Sequence, residues 1–147
     1  MLRPHTVVRP TKFTGLSAHY FFSRAVGVFA GVDYAPRKFL GNLGNFIDIP
    51  LGIAFRYPAF FGGGLGFTDV GLVLAMPLSG YSATNKTKFG VGVTLSGGQL
   101  FKVSDNFMLG FGGAFKFFFT STVSGVPGSG SPKLLDLDIG LRARFIL

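Results

Sequence analysis

Apolar and polar positions alternate with a period of two in seven stretches of this chain. That period belongs to β-strands, whose successive side chains point to opposite faces. Residues 46–57 show it most cleanly. One face reads Ile47, Ile49, Leu51, Ile53, Phe55, Tyr57, and the other Phe46, Asp48, Pro50, Gly52, Ala54, Arg56. The split recurs over residues 25–34, 69–76, 89–96, 107–119 and 135–147, and more weakly over 13–22. Strands of roughly 9–14 residues have the length of tilted membrane strands. No helical period of comparable strength competes.

The connections alternate in length. Tight turns are expected at residues 23–24 and 104–106, a moderately short link at 58–64, and longer loops at 37–45, 79–87 and 121–132. Barrels with short turns at one end and long loops at the other have this rhythm, with an even strand number and both termini at the short-turn end. Seven strands leave the N-terminal residues at the long-loop end. One N-terminal strand is therefore expected to lie outside the sequence, or Val7 and its neighbours to form an irregular eighth. The whole, residues 1–147, reads as a single outer-membrane β-barrel domain of about eight strands.

Composition sharpens this. The chain has 23 Gly and 19 Phe, and no Cys, Trp or Glu. Such a glycine content argues against a helical bundle, and phenylalanine suits a pleated surface. Mean hydropathy is high, yet no apolar run approaches the roughly 20 residues of a spanning helix. The formal charge is +8, but the cations are scattered singly, with no run longer than Arg37-Lys38, so a nucleic-acid partner is not expected. Residues 1–10 carry no apolar signal-peptide core. An exported barrel needs one, so the numbering is expected to start after processing or short of the true N-terminus.

Which face points outward decides the setting. Asp33, Asp48, Asp69, Asp136 and Asp138 all fall on the minority face, with Arg56, Lys116, Arg142 and Arg144. The other face carries no charge at strand centres and is heavy with Phe. A soluble barrel would have to pack that bulk into a small lumen and expose Gly and Ala. A membrane barrel does the reverse, and closure leaves no unpaired backbone edge in lipid. Tyr20, Phe22, Tyr34, Phe55, Tyr57, Phe117, Phe119 and Phe145, near strand ends, suit interfacial aromatic girdles.

The glycine-alternating hairpin of residues 89–95 and 103–112, turning at Ser104-Asp105-Asn106, resembles the OmpA/OmpX-like outer-membrane β-barrel superfamily. Residues 46–57, with Ile49-Pro50-Leu51, look like a strand of related barrel domains. The C-terminal residues 141–147 are similar to the strand signal read by the barrel-assembly machinery, although that signal usually ends on an aromatic and here ends on Leu147, with Phe145 two before. The resemblance implies a bacterial outer-membrane location and that machinery as a partner.

Candidate chemistry is sparse. His19 and Ser17 share the lumen face of the first strand, but barrel lipid deacylases of this size rely on a His, a Ser and a Glu, and this chain has no Glu. A hydrogen bond from His19 to a lumen Asp is the simpler expectation. His5 and His19 make no persuasive metal site, and no cofactor is expected. Residues 62–66 are Gly-rich without the Lys and Ser/Thr of a P-loop, which leaves them a turn. The strongest constellation is a lumen ion-pair network of Asp33, Asp48, Asp69, Asp136, Asp138, Arg56, Lys116, Arg142 and Arg144, which would plug and stiffen a barrel whose interior side chains about fill. Arg37, Lys38, Lys86, Lys88 and Lys133, with Arg3, Arg9 and Lys12, are expected on or near the outer side, where anionic lipopolysaccharide is a fitting contact. The reading is a non-enzymatic outer-membrane protein with a structural, adhesion or envelope-interaction role, in contact with membrane lipid. The alternatives are a small ion or solute channel, a lipid-modifying barrel enzyme, and a soluble β-barrel that binds an apolar ligand.

Overall fold

The computed structural model describes residues 7–10, 14–39, 42–58, 62–79, 86–120, 123–124 and 134–145. Among them there is no helix, and one sheet dominates. Its strands are β1 (Val7–Pro10), β2 (Thr14–Phe21), β3 (Val26–Phe39), β4 (Asn42–Pro58), β5 (Leu65–Ser79), β7 (Gly90–Ser104), β8 (Phe107–Phe118) and β10 (Leu134–Phe145). Two short strands, β6 (Lys86–Thr87) and β9 (Val123–Ser124), pair with each other and tie two end connections together. The seven long strands run up and down, each antiparallel to the next.

Local chemistry makes the turns. Ser23 Oγ accepts the N–H of Val26 at 2.9 Å and of Ala25 at 3.2 Å, a hydroxyl-capped turn between β2 and β3. Between β4 and β5 the backbone takes φ values of 67° at Gly62 and 64° at Gly63, a region side chains disfavour. The β3–β4 connection departs from the expected loop over 37–45. β3 continues to Phe39, β4 begins at Asn42, and Arg37 pairs with Gly44. The reason lies in the alternation: Asp33, Ala35 and Arg37 keep one phase, and the charge of Arg37 finds carboxylates inside.

The eight-stranded order is β1-β10-β8-β7-β5-β4-β3-β2, which places β1 and β2 at opposite edges. Laid flat, those edges would stand about 33 Å apart at the usual ladder spacing. Pro10 and Thr14 are joined by residues 11–13, which reach at most about 14 Å. The sheet must therefore roll up. Arg37 on β3 confirms the curl by bonding Asp136 on β10 at 2.7 Å, although the two strands are not neighbours in the ladder. Val7 and its neighbours do form a short extra strand, and it pairs parallel with Leu134–Leu137 of β10.

The rolled sheet has its apolar face outward. Leu16, Val28, Val32, Leu51, Ile53, Val70, Leu72, Leu95, Phe111 and Phe115 are all exposed. Asp48, Asp69, Asp136, Lys116, Arg37, Thr94 and Gln99 are buried within. Phe29, Phe46, Phe67, Leu100, Met108 and Phe118 are buried with them, filling space left by the small residues of that face.

Candidate functional site

Among the described residues, the interior is where this fold concentrates chemistry, and it is built in tiers. The first tier lies toward the end where β3 turns into β4. There Asp33 faces Asp48 across β3 and β4, and Asp136 faces Lys116 across β10 and β8. Arg37, two steps beyond Asp33 along the inward face of β3, sits over them. Its Nη1 and Nη2 donate to Asp48 Oδ1 and Oδ2 at 3.0 and 2.7 Å, the two-pronged geometry that a guanidinium makes with a carboxylate. Its Nε and Nη2 donate to Asp136 Oδ2 at 2.9 and 2.7 Å. Lys116 Nζ donates to Asp33 Oδ2 and Asp48 Oδ2, both at 2.8 Å. The rings of Phe46 and Phe118 each lie 4.8 Å from Arg37 Cζ, so the guanidinium is flanked by aromatic faces as well as carboxylates. Arg37 is 2% exposed and Asp48 0%. Charges this deep hold only because each is answered by others.

The second tier is smaller. His19 Nε2 on β2 meets Asp69 Oδ2 on β5 at 2.9 Å. Ser96 Oγ donates to the same oxygen at 3.4 Å. The imidazole lies between Phe21 and Phe29, with ring centroids 6.3 and 5.7 Å away and near-parallel planes. A serine hydrolase would need its hydroxyl on the imidazole, with the carboxylate behind it. Here Ser96 spends its proton on the carboxylate. Arg142 Nη2 meets Asp138 Oδ2 at 2.8 Å along β10, apart from the main network. The third tier, toward the opposite end, is apolar: Phe67, Leu100 and Met108 pack together with Leu65 against them.

The structure thus brings Asp33, Asp48, Asp136 and Lys116 into one network and leaves other members elsewhere. Asp69 belongs with His19, and Asp138 with Arg142. Among the described residues, Arg56 joins no carboxylate. Its Nε donates to Arg24 O at 2.6 Å and its guanidinium lies 4.2 Å over Phe21, pinning the β2–β3 turn to β4. The side chain of Arg144 lies outside the described residues.

Arg37 corrects the sequence reading most. Grouped with the outward loop cations, it is instead the centre of the interior network. Its parity with Asp33 along β3 is the signal that places it inside. Of the other loop cations, Lys88 is exposed. Arg9, Lys38 and Lys86 have described backbone in β1, β3 and β6 but not described side chains, and Arg3, Lys12 and Lys133 lie outside the described residues. No family model, no curated protein and no solved structure matches this chain.

Proposed function

We propose that this protein is a bacterial outer-membrane β-barrel of the OmpA/OmpX-like kind, non-enzymatic, with a structural, adhesion or envelope-interaction role. One observation carries the reading: the large apolar side chains face outward and the charges face inward. In water such a surface would be an aggregation hazard, whereas in lipid it is the stable arrangement. Strands of 12 to 17 residues from β3 onward in the main sheet support it. At a tilt near 45° and about 3.3 Å per residue they cross the hydrocarbon layer.

The filled interior favours a scaffold over a channel. The Arg37 network at one end and the Phe67–Leu100–Met108 cluster at the other leave little room for a water column. The partners this reading implies are membrane lipid, the barrel-assembly machinery and, through cations such as Lys88, lipopolysaccharide.

The test is expression behind an export signal, followed by fractionation and gel mobility with and without boiling. Recovery in the outer-membrane fraction, with a heat-dependent mobility shift, is the expected result. A protein that stays in the soluble fraction and runs identically before and after boiling would overturn it.

A further inference from the structure

Every side-chain carboxylate of this chain is already engaged. Its six acidic residues are all Asp. Asp33, Asp48 and Asp136 answer Arg37 and Lys116, Asp69 meets His19, Asp138 meets Arg142, and Asp105 meets Lys102. Among the described residues, neither Arg24 nor Arg56 bonds any of them. An anion that balances these two guanidiniums is therefore not one of the chain's own Asp.

The two lie together at the end where β2 turns into β3 and β4 into β5. Arg56 Nε donates to Arg24 O at 2.6 Å and its Nη2 to Ser23 O at 3.3 Å, while its backbone N–H donates to Ala25 O at 2.8 Å. With the Phe21 ring 4.2 Å beneath it, the guanidinium is fixed in place. Its carbonyl partners orient the charge without neutralising it, and they leave Nη1 uncommitted among the described residues. The turn that Arg56 grips carries Arg24, whose side chain is exposed. Arg24, Ala25, Arg56, Tyr57, Pro58 and Leu65 line one open cleft of about 570 Å³. It combines two cations with an otherwise largely apolar wall.

We propose that this cleft binds the phosphate of an anionic phospholipid headgroup, of the phosphatidylglycerol type. Guanidiniums suit phosphate oxygens, which accept several N–H bonds at once. The position suits a headgroup. Tyr20, Phe22 and Phe55 are exposed on the outward face toward this end, and Arg24 lies two residues past Phe22. Aromatic side chains followed by cations mark the level where hydrocarbon gives way to headgroups. The apolar wall of the cleft takes the part of the lipid next to its phosphate. A headgroup that carries its own ammonium fits less well, because no uncommitted carboxylate is there to receive it. The choice of a lipid as the anion rests on the membrane reading, while the need for an external anion does not.

The full chain, refolded in uncharged detergent micelles, provides the test. Native mass spectrometry counts what stays bound when phosphatidylglycerol, phosphatidylcholine or inorganic phosphate is added at equal concentration. One bound phosphatidylglycerol is expected, with a bound-to-free ratio at least about fivefold that of phosphatidylcholine. Arg24→Gln should lower that ratio by about fivefold, and Arg56→Gln by at least as much. Lys102→Gln is the control, a cation at the same end that has Asp105 as its partner, and it should change the ratio by less than about twofold. Arg56 also holds the turn, so Arg24→Gln, with its exposed side chain, keeps the test valid if Arg56→Gln does not fold. Equal retention of the two lipids by the native protein, or equal losses from Arg24→Gln and Lys102→Gln, would show general surface attraction and overturn the proposal. Inorganic phosphate bound as strongly as phosphatidylglycerol would overturn the choice of a lipid. Gel mobility with and without boiling, on the same samples, separates the two failures. A heat-dependent shift without lipid preference overturns this site alone, and no shift overturns the membrane reading beneath it.

Discussion

At the residue scale, two ion pairs of similar length have very different weight. Asp48 accepts from both Arg37 and Lys116 and is wholly buried. Asp48→Ala removes the hydrogen bonds that both cations make to it, while Arg37 keeps Asp136 and Lys116 keeps Asp33, and a loss of about 1–3 kcal/mol is expected. The Lys102–Asp105 pair is as short, at 2.7 Å, but its side chains are 63% and 91% exposed. Asp105→Ala should change stability by less than about 1 kcal/mol. Denaturant titration of the folded protein in micelles measures both, and a larger loss at Asp105 would refute the ranking. Gly63 offers a cleaner case. A Cβ there would meet nothing within 4 Å, so only its φ of 64° opposes a side chain. Gly63→Ala should therefore cost about 1–2 kcal/mol through backbone strain alone. An unchanged midpoint would show that the turn relaxes freely.

In lipid, individual strands would carry a depth dependence that a soluble barrel would lack. Leu72 lies at the middle of β5, between Leu51 and Val93, while Leu78 lies near the strand's end. If lipid covers this face, Leu72→Arg should cost about 2–4 kcal/mol and Leu78→Arg about 0–1 kcal/mol. Refolding titrations in lipid bilayers give both values. Equal, small effects would mean that water covers the outward face. The same strand logic explains Arg37. β3 holds its period of two from Gly27 through Arg37, all turned inward, so the strand runs past Pro36 instead of ending before it.

Across the whole molecule, the described interior carries two unlike layers, one toward each end. The charged network resists water by geometry, since its donors and acceptors are bonded to one another. The Phe67–Leu100–Met108 cluster resists it by apolarity. Inserted into a planar bilayer, the native protein should show no steady conductance. Steady open-channel currents would instead support the channel reading and show that one layer moves aside. Because the layers act in series, removing the charged network alone should not open a pore.

The strands, their facing and the inward placement of the carboxylates were legible in the sequence, because a period of two is a local property that each segment carries by itself. So were the hydroxyl-bearing and Gly-rich turns. The partners of each charge were not. That Arg37 meets Asp136 follows from the roll of the sheet, which brings β3 and β10 together across the interior, and no spacing along the chain encodes that distance. The pairing of His19 with Asp69, and the separation of Arg56 and Arg142 from the main network, were decided the same way. The place of β1 is likewise tertiary: the strand count hinted at an irregular eighth strand, but only the rolled sheet sets Val7–Pro10 parallel to Leu134–Leu137 of β10.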